Sequence, residues 1–311
     1  MRLSGEDPII VDAGDLLFKT KKLNNLSRGS DKFRANTIVK GYQKIGCHAV
    51  NIGIQDLSAG VSFLLNLSKK TTIPFLSANI RSAKTKKLLF KPYEIIEKKG
   101  VSIGIIGLTS LVPDTLAELI VDNYLKIGRS EIKRIRKSVD IIVLLINSDR
   151  QTYDTFSNEF PNADIIFTSG SNFMTHPIMR QNEGGPFIFS TGREGRYLST
   201  VELDIKNNQD PIVNVSYLEE NIKFLKARME RIQNLEDKKM ESKKRLQIEK
   251  IAAVKKNGFK DIKEGQKRLK GAVNTLRFYN IPMDKKIQDN ETMTAFVKES
   301  LATCNSLIKK E

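Results

Sequence analysis

Eight short apolar runs, rich in β-branched residues, alternate with helical patterns through the first 205 residues, and this alternation constrains the fold more than any other feature. The runs are Pro8 to Val11, Ala49 to Ile52, Phe75 to Ala78, Val101 to Leu108, Ile141 to Ile146, Ile165 to Thr168, Pro186 to Ser190 and Thr200 to Ile205. Gly, Pro, Asn, Asp or Ser bounds each of them, as strand ends require. Several are continuously apolar, which places them in a sheet covered on both faces. Asp31 to Ile45, Gly60 to Ser68, Pro113 to Ile127, Gly128 to Ser138 and Asp149 to Asn158 read as the helices between them. The expected class is α/β, a layered sandwich of sheets flanked by helices.

Asn207-Asn208-Gln209-Asp210-Pro211 reads as a domain boundary, giving an α/β domain over 1–208 and a basic helical tail over 209–311. In the tail Leu218, Ile222, Leu225, Met229 and Ile232 repeat at four-three spacing and form one apolar stripe, a candidate partner-binding face. The stripe weakens through Lys238 to Lys244 and resumes at Leu246, Ile251 and Val254. Asn257-Gly258 reads as a helix stop, and Ile262, Leu269, Val273 and Leu276 form a second stripe. The spacing predicts helices over about 216–256, 260–279 and 291–308, the first two paired as a hairpin or coiled coil. In the last, Phe296, Val297, Leu301 and Cys304 are expected to face inward.

The formal charge of +16 divides into +7 before Ser216 and +9 from it onward, so basic residues concentrate in the tail. That favours an anionic partner without identifying one. Lys238-Lys239, Lys243-Lys244-Arg245, Lys255-Lys256 and Lys267-Arg268 make nucleic acid one reading, and interspersed acidic residues speak against it. Cys47 and Cys304 stand alone, in no C-x-x-C pair, so no disulfide framework is expected. Residues 1–8 hold no apolar core for a signal peptide, and no run approaches a membrane span. As written, the chain reads as cytoplasmic, or as exported if the true start lies upstream.

Ile9-Ile10-Val11-Asp12-Ala13-Gly14-Asp15 is a strand running into a Gly-Asp turn, which puts Asp15 at a strand's carboxyl end, where open α/β sheets bind ligands. Further segments follow: Gly46-Cys47-His48-Ala49-Val50-Asn51-Ile52-Gly53, Ile73-Pro74-Phe75-Leu76-Ser77-Ala78-Asn79, Lys91-Pro92-Tyr93 with Gly100 to Thr109, Val139 to Leu145, Ala163-Asp164-Ile165-Ile166, and Ser190 to Leu198 containing Gly192-Arg193-Glu194-Gly195-Arg196-Tyr197. In order and spacing this series resembles the 5′-nucleotidase branch of the calcineurin-like metallophosphoesterases, over about the first two thirds of the chain.

The resemblance implies a two-metal phosphoester hydrolase whose bridging aspartate falls at Asp15, and whose ions activate water and neutralise phosphoryl charge. Most of the implied ligands are replaced. The family's opening Asp-x-His strand has no counterpart in the seven residues before Pro8. Its Gly-Asn-His-Asp loop reads Gly53-Ile54-Gln55-Asp56, so an aliphatic stands for the asparagine and an amide for the histidine that aids the leaving group. Asn147 stands where a histidine is expected, and Gly170, Ser171 and Asn172 replace the Gly-His-x-His turn. Asp15 is the clear remaining ligand and Asp56 a second remnant. No catalytic residue is assigned, Gln55 being the degraded position. His48 and His176 read as packing or surface residues. No cofactor is expected; an active relative would need two divalent ions such as Mn or Zn. The family's base-stacking domain also lacks a counterpart, the tail having no Trp.

Three functions are open to these residues. The first is a non-catalytic phosphoesterase-like scaffold whose tail docks to itself or to a protein. The second is a metal-dependent nucleotide hydrolase with a truncated start. Nucleic-acid binding through the tail is a third.

Overall fold

The structure, a computed structural model, describes residues 5–110, 117–182, 185–207, 210–238 and 245–308, with the side chains of 233–253 and 255 left aside. The chain forms two compact units, Met1–Met174 with Asn182–Arg196 and Met283–Glu311, and Thr175–Gln181 with Tyr197–Pro282.

In the first unit β1 (Val11–Asp12), β2 (Ala49–Asn51) and β3 (Phe75–Leu76) form a parallel sheet, and β4 (Ile80–Ser82) pairs antiparallel with β7 (Leu119–Val121). A five-stranded sheet runs β10 (Phe187–Ser190), β9 (Ile165–Ser169), β8 (Ile141–Asn147), β6 (Val101–Thr109) and β5 (Tyr93–Lys98); only the edge strand β5 is antiparallel. Every residue of β8 is buried, as its unbroken apolar run requires. The register places Thr109 beside Asn147 and Asn147 beside Ser169, a polar row at the carboxyl ends of three parallel strands.

Helices α1 (Arg28–Lys44) and α2 (Val61–Ser68) turn Ala35, Val39, Leu64 and Leu67 onto the small parallel sheet around Val50, Ile52 and Phe75. Helices α3 (Tyr124–Ile135) and α4 (Phe156–Glu159) supply Ile132, Ile135 and Phe156 to a second core with Ile106, Ile142, Leu144 and Ile166. Each such side chain contributes roughly 1.5–3 kcal/mol by leaving water. The span expected as helix over 113–127 differs beyond its undescribed part: Leu119-Ile120-Val121, with β-branched Ile120 and Val121, forms β7, and α3 begins only where Asn123 caps it by accepting from the Lys126 N–H at 2.9 Å.

The second unit holds α5 (Val215–Lys238), α6 (Arg245–Gly271) and a sheet of β11 (Tyr197–Asp204), β13 (Asn274–Pro282) and β12 (Ile212–Asn214) in that order. Three features depart from the reading of the tail. Asn257-Gly258 continues α6: Gly258 is buried on Met229, where a Cβ would lie 2.9 Å from its Sδ, so this glycine serves close helix packing. Residues 274–279 are strand, because Leu276 and Phe278 are buried on either side of exposed Arg277, a period of two that outweighs the helical spacing of Val273 and Leu276. Eight register pairs then join β11 to β13, so Tyr197–Asp204, expected within the α/β domain, lies in the second unit instead.

The stripe of α5 is used within the chain. Ile222 and Met229 are buried with Ile262 of α6, and Leu225, Ile232, Val254 and Leu269 pack on them, while Leu218 is buried too. These side chains therefore offer no open face to a partner. The side chains of Leu246 and Ile251, and residues 239–244 with their lysines, lie outside the described residues. Helix α7 (Glu291–Ser306) returns to the first unit and packs along α1, with the Lys44 ammonium 5.3 Å from the Phe296 ring centroid and Cys304 buried. Val297 and Leu301, expected inward, are exposed, because α7 turns the row Met293, Phe296, Ser300 and Cys304 toward the unit instead. No helix among the described residues is long and apolar enough to cross a membrane.

Candidate functional site

The residues read as metal positions converge where β1, β2, β8 and β9 end. The chain leaves β1 through Gly14 at φ 108° and Asp15 at φ 65°, two left-handed residues in succession. A Cβ on Gly14 would lie 2.9 Å from the Gly53 nitrogen, and one on Gly53 would lie 2.3 Å from Asp15 Oδ1 and 2.9 Å from Asn147 Nδ2. Two turns thus meet backbone to backbone, which only glycine allows.

Asp56, in a 3-10 turn over Gln55–Leu57, is wholly buried and aims its carboxylate back into these turns. Oδ2 accepts from the Asp15 N–H at 2.9 Å and the Gly53 N–H at 2.8 Å, and Oδ1 accepts from the Leu17 N–H at 2.9 Å. Asp15 is engaged at both oxygens: Oδ1 by the Gln55 N–H at 2.8 Å, and Oδ2 by Asn147 Nδ2 at 2.9 Å. The Asn147 amide also donates to Ser169 Oγ at 2.8 Å, and its oxygen accepts from the Ile54 N–H at 3.0 Å. Ser169 Oγ in turn donates to the Ala13 carbonyl at 2.7 Å, which also accepts from Asn51 Nδ2 at 2.9 Å. Asp12 closes the rim, accepting from the Gly14 N–H and the Tyr42 hydroxyl at 2.8 and 2.9 Å.

The other expected positions fall as follows. Ile54 is buried and aliphatic. With its nitrogen oriented toward the chain, the Gln55 amide donates to the Phe18 and Lys19 carbonyls at 2.5 and 3.0 Å. Gly170 is left-handed, Ser171 shares a 2.9 Å hydrogen bond with the Tyr153 hydroxyl, and Asn172 is exposed. His48 Nδ1 accepts from the Ile10 N–H at 3.1 Å beside the β1–β2 pairing, and His176, in the second unit, is exposed. Asn51, Ser169, Asp12 and Tyr42 belong to the cluster without having been singled out. Asn51 and Ser169 carry a readable signal, a polar residue ending an apolar strand, whereas Tyr42 on α1 carries none.

Burial pushes all three carboxylates upward in pKa, and the neighbouring Asp15 charge helps carry Asp56 up to about 7. The folded chain therefore holds these protons more tightly than the unfolded chain does. The resulting stabilisation is complete below the ordinary carboxylate range and is lost as pH rises toward about 7. The urea midpoint is expected to be higher at about pH 5 than at about pH 8. A midpoint that instead drops on acidification through that window shows carboxylates that are stabilised in their charged form.

This donor set does not suit a pair of divalent ions. Such ions need several anionic or imidazole donors turned toward a common point. Here each carboxylate oxygen of Asp12, Asp15 and Asp56 already accepts a hydrogen bond, and Asn147 presents its N–H edge, itself positive, to Asp15. Among the described residues no three His, Cys, Asp or Glu side chains gather to hold a metal ion.

Comparison with known proteins defines the class. No family model matches the chain. Its fold is similar to that of the calcineurin-like phosphoesterase YfkN from Bacillus subtilis, with a TM-score of 0.61 at 13% identity, covering 97% of this chain and 85% of that one. The calcineurin-like phosphoesterase fold is thereby established.

Within that class the sequence is 5′-nucleotidase-like. It is 34% identical over 116 residues to Protein UshA of Yersinia enterocolitica, covering 37% of this chain and 19% of that protein. It is 35% identical over 105 residues to a 5′-nucleotidase of Vibrio parahaemolyticus, covering 33% and 19%. The matched stretches span about a fifth of these two relatives.

Proposed function

We propose that this chain is a non-catalytic 5′-nucleotidase-like phosphoesterase domain, in which the place of the relatives' metal pocket is taken by a hydrogen-bonded clasp. The observation that carries this reading is the Asn147 carboxamide. It sits 2.9 Å from Asp15 Oδ2 and 2.8 Å from Ser169 Oγ, and accepts from Ile54, linking the ends of β8 and β9 to both turns. Its amide hydrogens supply the positive partner that a metal would otherwise give Asp15. Gln55 supports the same reading, since an amide cannot protonate a leaving group near neutral pH. The role left to such a domain is that of a scaffold or binding module.

Hydrolysis tests it. With Mn or Zn added, the purified chain is expected to leave nucleoside monophosphates and bis(p-nitrophenyl) phosphate at the uncatalysed rate. Enzyme-like turnover that disappears in Asp15→Ala overturns the reading in favour of a working hydrolase.

A further inference from the structure

Helix α6 carries a second pattern, on the side turned away from α5. Lys256, Lys260, Lys263, Lys267 and Lys270 recur at spacings of four, three, four and three, and all five are exposed. At 100° per residue this is one straight stripe about 21 Å long. It lies opposite Gly258, Ile262, Gly265 and Leu269, which meet α5. Among the described residues only Lys260 of the five pairs with a carboxylate, that of exposed Glu264 at 3.8 Å. Phe259, 59% exposed, stands at the margin of the stripe, one turn from Lys256 and Lys263.

We propose that this face of α6 is a peripheral docking surface for an anionic lipid membrane. Charge complementarity identifies the occupant. Five ammonium groups in a straight line meet a flat anionic surface together, whereas a nucleic-acid backbone curves away from a straight helix. The stripe is lysine throughout, with none of the forked guanidinium or amide groups that grip individual phosphates and bases. Its exposed aromatic neighbour is the side chain that gains by entering the boundary between headgroups and acyl chains. The attachment is peripheral, because the apolar side of α6 is already covered by α5.

Flotation of the full chain with vesicles supplies the test. The chain is expected to bind phosphatidylcholine vesicles containing phosphatidylserine and not pure phosphatidylcholine, with binding weakening as salt is raised. Each lysine near an anionic surface contributes about a fivefold gain, so K260Q/K263Q/K267Q is expected to bind roughly a hundredfold more weakly. Circular dichroism identical to that of the parent shows that the hairpin is intact, and single Lys→Gln variants, each about fivefold weaker, stand in if the triple variant misfolds. Phe259→Ala should lose the part of binding that survives high salt. The proposal is overturned if phosphatidylserine vesicles are not bound at low salt, or if the triple variant binds as well as the parent. It is equally overturned if the stripe binds duplex DNA or RNA, vesicles fail to compete, and the triple variant loses that binding.

Discussion

Replacing Asp56 by alanine is expected to cost about 3–9 kcal/mol, because three backbone N–H groups, two buried and one part-buried, lose their acceptor at once and each carries a penalty of roughly 1–3 kcal/mol. The three donors, Asp15, Leu17 and Gly53, belong to the two turns that meet at the strand ends, so their release loosens the site as a whole. Against a typical domain stability of about 5–15 kcal/mol, such a loss leaves the first unit marginal or unfolded at ambient temperature. Urea denaturation followed by circular dichroism measures it. Asp154→Ala, which removes an exposed carboxylate paired with Arg150, serves as the control and should shift stability by no more than about 0.5 kcal/mol. An Asp56→Ala loss as small as the control's means that water reaches those N–H groups and that the clasp is not a closed one.

The second large effect separates the two chemistries open to position 147. Asn147→Asp keeps the shape and removes the N–H edge, setting a carboxylate against Asp15 where 2.9 Å now separates donor from acceptor. Two like charges at that distance in a buried site should cost about 3–5 kcal/mol near neutral pH. Asn147→Ala takes the partner from Asp15 Oδ2 and from the Ile54 N–H, leaves the Gln55 bond to Oδ1 in place, and is expected to cost less, about 2 kcal/mol. On acidification the aspartate variant recovers, since one of the facing carboxyls takes up a proton, whereas the alanine variant does not. Denaturation midpoints of the two variants across the pH range check this. If the aspartate variant matches the parent near neutral pH in metal-free buffer, the amide is not what holds Asp15.

Much of the first unit was legible because its strands are apolar runs bounded by turn residues. Ile141 to Ile146 is apolar without a break and forms the buried centre of the sheet, and Val101 to Thr109 lies beside it. The series of segments resembling 5′-nucleotidases located Asp15, Gly53 and Asn147 together, and the structure brings them within hydrogen-bond distance or backbone contact. What the residues could not show is how the clasp is wired. Asp15 lies 132 positions from Asn147 and 41 from Asp56, and nothing local tells an aspartate that ligates an ion from one that accepts backbone N–H groups.

The second unit was less legible for a different reason. Val273 and Leu276 fit a helical spacing, while Leu276 and Phe278 fit an alternating one, and the choice is made by pairing with β11, some 80 residues earlier in the chain. Gly258 shows the same limit, as Asn-Gly ends many helices but here the missing Cβ admits Met229. In α7 the inward row keeps Phe296 and Cys304 but takes Met293 and Ser300 in place of Val297 and Leu301.

Metal titration addresses the central claim most directly. Protein stripped with chelator is mixed with Mn or Zn at micromolar concentration, desalted, and its metal content measured by elemental analysis. The hydrogen-bonded clasp predicts a negligible content and an unfolding temperature that neither metal nor chelator moves. Two equivalents retained per chain, and lost in Asp15→Ala, would contradict it.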